Sequence, residues 1–112
     1  MTVTIYHNPR CGKSRDTLKL IEAKGITPQI IEYLKTPPTA DTFKQILKWL
    51  GMTAKDVLRS KEAADNGVDP NLPEDRLIAA MLAMPIVIER PIVVADGRAR
   101  LGRPPERVLE IL

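Results

Sequence analysis

Residues 7–15 read HNPRCGKSR and hold the only cysteine, Cys11, and the only histidine, His7, of the 112-residue chain. A thiol is a nucleophile only as its thiolate. Its neighbours here favour that form: Arg10, Lys13 and Arg15 are cationic, His7 is near, and a helical pattern starts at the cysteine. The first turn of a helix offers unpaired N–H groups and a partial positive charge. The same stretch reads as an anion loop, because Gly12 permits close backbone approach and Lys13, Ser14 and Arg15 supply donors. The polar flanks speak against a buried structural thiol. A nucleophilic sulfur facing an oxyanion cradle points to attack on an oxyanion centre. Cysteine phosphatases require Cys-x5-Arg, but Thr17 stands in the arginine's place; a dithiol requires Cys-x-x-Cys, but position 14 is serine. A two-electron thiol reduction takes two sulfurs, so the second has to come from outside the chain, from glutathione or a dithiol protein.

The elements around this stretch set its geometry. Residues 2–6 are β-branched and end at Asn8-Pro9, which predicts a buried strand. Residues 11–24 predict a helix with Leu18, Leu20 and Ile21 inward and Gly25 just past its end. Residues 29–34, QIIEYL, predict a second strand, parallel to the first because a helix crosses between them. Thr39 is placed to cap a helix whose Phe43, Ile46, Leu47 and Leu50 form one apolar stripe, with Gly51 ending it. Thr53 caps a short helix AKDVLRS. Residues 61–71 contain Asn66-Gly67 and Asp69-Pro70 and read as a loop. Pro73 opens a helix carrying Leu77, Ile78, Met81 and Leu82. Asp96-Gly97 between residues 91–95 and 98–102 is a strong hairpin signal, and Pro104-Pro105 starts a last helix. The expectation is one α/β domain over residues 1–112: a mixed four-stranded sheet flanked by helices, with a helical insert after the second strand. That order resembles the thioredoxin fold.

Composition narrows the function classes. The net charge is +3, and 4% of residues are aromatic. A nucleic-acid surface usually concentrates basic charge beside aromatic platforms, so none is expected. All eight lysines lie between Lys13 and Lys61, whereas the last third is basic only through arginine, including Arg76, Arg90, Arg98, Arg100, Arg103 and Arg107. Arginine's planar fork suits bidentate oxyanion recognition. The stretch LIAAMLAMPIVI is too short, and too broken by Pro85, to span a bilayer. No signal peptide is read in MTVTIYHN, so a cytoplasmic, reducing compartment and a monomer are expected, with no metal and no bound cofactor.

With these residues in view, the sequence resembles the glutaredoxin-dependent arsenate reductases, the ArsC family of the thioredoxin superfamily. The motifs that carry the resemblance are IYHNPRCGKSR, EYLKTPPT, VLRSKE, ERPIVV and RLGRPPE, in the family's order along nearly the whole chain. The resemblance implies that Cys11 attacks arsenate to form a thiol–arsenate adduct. Glutathione, as co-substrate, then joins the adduct, glutaredoxin takes the glutathione, and arsenite leaves. It implies that Arg59, Arg90 and Arg103 hold the oxyanion and its charged intermediates, that His7 and Ser14 help keep Cys11 ionised, and that Arg90-Pro91 is a cis peptide. Two other readings share the fold: a protein-docking regulator of the Spx type, which usually carries Cys-x-x-Cys, and a monothiol glutaredoxin, since CGKS is Cys-x-x-Ser.

Overall fold

A strand needs partners on both sides to sit in the middle of a sheet, and the first strand has them. The computed structural model describes every residue, Met1–Leu112. In it β1 (Val3–His7) alternates buried Val3, Ile5 and His7 with half-buried Thr4 and Tyr6. After α1 (Gly12–Ala23), β2 (Gln29–Glu32) pairs with β1 in parallel, Ile5 opposite Ile30 and His7 opposite Glu32. On the other side β1 pairs antiparallel with β3 (Ile92–Ala95), which turns through Asp96-Gly97 into antiparallel β4 (Arg98–Leu101). The sheet order is β2-β1-β3-β4, the expected mixed thioredoxin-like arrangement. The hairpin turn holds Asp96 at φ 50° and Gly97 at φ 74°. Both central residues are left-handed, as the two-residue turn that matches strand twist demands.

Backbone contacts divide the chain into two compact units: Met1–Thr36 with Arg90–Leu112, and Pro37–Glu89. In the first, a core of Val3, Ile5, Ile21, Val93, Ala95, Val108 and Ile111 joins sheet, α1 and the C-terminal segment, with Leu18 packed against it. Leu20, expected inward, is only half-buried; α1 turns Ser14, Thr17 and Ile21 inside instead. β2 is shorter than expected, stopping at Glu32, because the amides of Lys35 and Thr36 turn back onto the Glu32 carbonyl at 3.0 Å each. The last segment, Pro105–Ile111, is a 3₁₀ helix throughout. Its buried residues, Pro105, Val108 and Ile111, are spaced by three. Three residues per turn is the 3₁₀ period, so this winding stacks all of them on one edge facing the core.

The second unit is helical. α2 (Ala40–Leu50) starts where Thr39 Oγ1 accepts from the Thr42 N–H at 3.2 Å and ends at Gly51, φ 69°. Its apolar stripe, Phe43, Ile46 and Leu47, is buried, and it packs on α4 (Glu74–Ala83), which buries Leu77, Ile78 and Met81. The helix expected after Thr53 is only a 3₁₀ turn, Lys55–Val57. Thr53 and Asp56 close it reciprocally: the Thr53 N–H donates to Asp56 Oδ2 at 2.8 Å, and the Asp56 N–H to Thr53 Oγ1 at 3.4 Å. Leu58 then becomes extended and bridges Ile88, which ends the turn early. Residues 61–65, expected in a loop, belong to a short helix, α3 (Ser60–Asp65). Buried Ala63 and a Lys61–Asp65 pair one turn apart at 2.7 Å support it, and it stops at the expected Asn66-Gly67. The polar composition hid one buried position on a single helical turn.

One glycine governs how the sheet meets α1. Gly102 is buried at the end of β4, and its N–H donates to the Pro91 carbonyl at 3.0 Å. A Cβ there would overlap Thr17 Oγ1 and stand 2.7 Å from Pro91 Cγ. Such overlap forces neighbours off their rotamers. Gly102→Ala is therefore expected to destabilise the protein by about 1–3 kcal/mol, read as a lower urea midpoint; an unchanged midpoint would refute the close packing.

Candidate active site

Cys11 is the N-cap residue of α1, half-buried, in extended conformation at φ −95° and ψ 123°. The loop before it is built by Asn8. Its carbonyl accepts from the Cys11 N–H at 3.0 Å, its Oδ1 accepts from the Arg10 N–H at 3.0 Å, and its own N–H donates to Ser14 Oγ at 3.0 Å. Asparagine before proline is a turn former because its side chain bonds the backbone two residues on. Asn8 and Gly102 are the site-shaping residues that motif reasoning passed over; Asn8-Pro9 carried the signal, while Gly102 carried none without its neighbours.

The Cys11 side chain closes no capping hydrogen bond. Its anion is another matter. Burial pushes the thiol's pKa up, but the Ser14 N–H, the Arg90 guanidinium and the Lys13 N–H outweigh it and bring the pKa below the ordinary cysteine value. Two of these groups are the orphan donors of a helix's first turn, and the third is a cation from the far end of the sequence. Gly12 is exposed at the first helical position, with open space above its backbone except for Arg15 Nη2, 3.7 Å from where a Cβ would stand. Arg15 itself is tied back, donating to the Pro9 carbonyl at 3.0 Å. It braces the loop.

His7 and Ser14 form the buried floor. His7 Nδ1 and Ser14 Oγ are hydrogen-bonded at 2.7 Å. Burial pushes the imidazole's pKa down, Glu32 pulls it up and Arg15 pushes it down, leaving it below the ordinary histidine value. The burial that lowers it disfavours the imidazolium form. What Ser14 gives the sulfur is its backbone N–H; its hydroxyl is engaged with His7 and Asn8. The pair braces the loop through these hydrogen bonds.

The arginines fall in two places. Arg90 donates to the Cys11 sulfur, and the Arg90–Pro91 and Arg103–Pro104 peptide bonds are both cis. Arg103 Nη1 donates to the Arg90 carbonyl at 3.0 Å, so Cys11, Arg90 and Arg103 form one connected group in the first unit. Arg59 belongs to the helical unit, just before α3. There its Nη1 lies 2.6 Å from Glu89 Oε1 and its Nε 3.2 Å from Glu62 Oε2. Burial opposes its charge, but the two carboxylates outweigh that and raise its pKa. Its backbone is fixed as well: the Arg59 N–H donates to the Val87 carbonyl at 2.7 Å, and the Glu89 N–H to the Val57 carbonyl at 2.8 Å. Neither Glu62 nor Glu89 was marked as a site residue from the sequence; nothing in a linear pattern announces a partner 30 positions away. Chemically, the first unit offers a thiol whose ionisation is favoured, with the Arg90 guanidinium beside it, equipment suited to nucleophilic attack on a polyanionic centre.

Known proteins resemble this chain over nearly its whole length. A model of the ArsC family matches residues 6–111. The chain is 52% identical to the uncharacterized protein YfgD of Escherichia coli K12, over 98% of this chain and 96% of that protein. It is 47% identical to an arsenate reductase of Rhizobium meliloti, over 100% of this chain and 82% of that protein. Among solved structures, an arsenate reductase from Vibrio cholerae superposes with a TM-score of 0.93 at 50% identity, covering 100% of this chain and 98% of that one.

Alkylation of Cys11 by iodoacetamide is expected to rise with pH around a midpoint below that of a free cysteine. Arg90→Leu should move that midpoint upward, since a cation that favours the thiolate is gone. Ser14→Ala keeps the backbone N–H, so it should shift the midpoint less. It should instead cost about 1–3 kcal/mol of stability, because the buried Asn8 N–H loses its acceptor. A midpoint unmoved by Arg90→Leu would remove the arginine from the account.

Proposed function

The chain belongs to the ArsC family, and from that premise we propose that it reduces arsenate to arsenite, with Cys11 as nucleophile and glutathione and glutaredoxin as the external thiols. The observation that carries the reading is the depressed pKa of Cys11 under the Ser14 N–H and the Arg90 guanidinium. The relatives named as arsenate reductases support the substrate. The single thiol of the chain supports the need for outside thiols.

The chemistry balances as follows. The Cys11 thiolate attacks arsenic, an arsenic-bound oxygen leaves as water, and a thiol–arsenate forms with arsenic still pentavalent. Glutathione's thiol replaces a second hydroxyl, which also leaves as water. A glutaredoxin thiolate then attacks the glutathione sulfur. The electron pair of the sulfur–arsenic bond stays on arsenic, which becomes trivalent, while the two outside sulfurs become a mixed disulfide. Hydrolysis of the Cys11–arsenic bond releases arsenite and returns the thiolate. Before attack and on release Arg90 favours the anionic sulfur, and Arg103 steadies the Arg90 backbone throughout. Fixed guanidiniums stabilise charge that develops on the oxyanion without reorganising at the moment of reaction. Arg59, held by Glu62 and Glu89 in the second unit, is the third arginine that the family resemblance matches.

Turnover of arsenate, followed as NADPH loss through glutathione reductase, is expected only with both glutathione and glutaredoxin present. Cys11→Ser should lower it by at least about 1,000-fold, the scale of losing a nucleophile. A wild-type protein inert toward arsenate, or a serine variant that still turns over, would overturn the proposal.

A further inference from the structure

The loop that carries Cys11 has a second side. A pocket of about 360 Å³ opens beside it, with residues 7–10 on one wall and Glu32, Leu34 and Lys35 on the other. That volume lies within the range of about 300–1,000 Å³ typical of small-molecule sites. The pocket sits at the carboxyl ends of β1 and β2, where His7 and Glu32 are opposite each other in the parallel ladder. The carboxyl ends of parallel strands are where sheets of this kind keep their ligands.

Its charges are arranged, not merely basic. Arg10 and Lys35 bring two cations and Glu32 one carboxylate. The Arg10 backbone is fixed by Asn8 Oδ1 at 3.0 Å, while its side chain is exposed. The Lys35–Glu32 contact is 3.6 Å long, with the two side chains 79% and 44% exposed. A surface pair of that kind is weak and yields readily to a ligand. Leu34 adds an exposed apolar side chain. An inorganic oxyanion would gain from Arg10 and Lys35 but be repelled by Glu32. A molecule with two carboxylates, one ammonium and a methylene chain between them is complementary to all four side chains. Glutathione has those groups, and its thiol form carries a net −1 against the pocket's +1.

We propose that this pocket binds glutathione, its two carboxylates on Arg10 and Lys35 and its ammonium on Glu32. The assignment rests on the reading that an outside thiol completes the reaction. Cys11 follows Arg10 directly, one Cα step of about 3.8 Å from the pocket wall. The step glutathione serves is replacement of an arsenic-bound hydroxyl, which leaves as water with no change of oxidation state.

S-methylglutathione, which has the charges but no free thiol, isolates binding from chemistry. Titrated into the 15N-labelled protein, it should produce saturable NMR shifts at the amides of residues 7–11 and 32–35. Lys35→Glu and Arg10→Glu should each weaken binding by about tenfold, as reversal of a charge contact does. In turnover, Lys35→Glu should raise the KM for glutathione and leave kcat and the KM for arsenate as they are. Shifts that map elsewhere, shifts that fail to saturate, or undiminished binding by Lys35→Glu would overturn the pocket. Saturable binding here by a protein inert toward arsenate keeps the pocket and removes the arsenate reading. Arsenate turnover without any response at residues 7–10 and 32–35 does the reverse.

Discussion

A single negative charge has to be kept on one sulfur, and the first unit is organised around that demand. A thiolate at a helix N-terminus is favoured only if nothing else occupies the orphan N–H groups and the chain enters the helix at the right angle. Asn8 sets the angle by bonding both Arg10 and Cys11 through its own side chain and carbonyl. Ser14 could have used its hydroxyl near the sulfur, but that hydroxyl is committed to His7 and Asn8, which leaves the Ser14 N–H to the thiolate. The buried His7, its pKa lowered by burial, fits this arrangement. A buried charge there would have to be stabilised by its surroundings, whereas the hydrogen bond between His7 Nδ1 and Ser14 Oγ anchors the loop to the end of β1.

The remaining cation arrives by topology. Arg90 stands at the start of the hairpin arm, immediately before a cis Pro91 and β3. β3 pairs with β1, the strand that leads into the Cys11 loop, so sheet register brings the two ends of the unit together. Gly102 holds the arrangement close: it hydrogen-bonds Pro91 and leaves no room between Pro91 and Thr17 on α1. Arg103, the next residue, reaches back to the Arg90 carbonyl. The guanidinium at the sulfur is thus positioned by a backbone contact that only glycine permits.

Arg59 shows a different economy of charge. Two carboxylates surround its guanidinium, and Glu89 is set by backbone bonding between residues 57–59 and 87–89. Pairing of this kind fixes orientation and prevents the side chain from sampling water freely.

Much of this architecture was legible in local chemistry. The β-α-β start, the Thr39 cap, the Gly51 stop, the Asp96-Gly97 hairpin and the placement of Cys11 at a helix mouth all follow from preferences acting over a few residues, and they needed no partner from elsewhere in the chain. The misread segments are those in which a distant contact decided the outcome. α3 forms around one buried alanine, the turn after Thr53 stops because Leu58 bridges Ile88, and residues 105–111 wind as 3₁₀ because three apolar side chains must reach the same core. The amino-acid sequence alone determined that this protein carries one thiol, at a helix N-terminus and flanked by positive charge. Only the tertiary structure decided that Arg90 is the cation at the sulfur and that burial lowers the pKa of His7, because proximity in space and burial are properties no linear spacing contains.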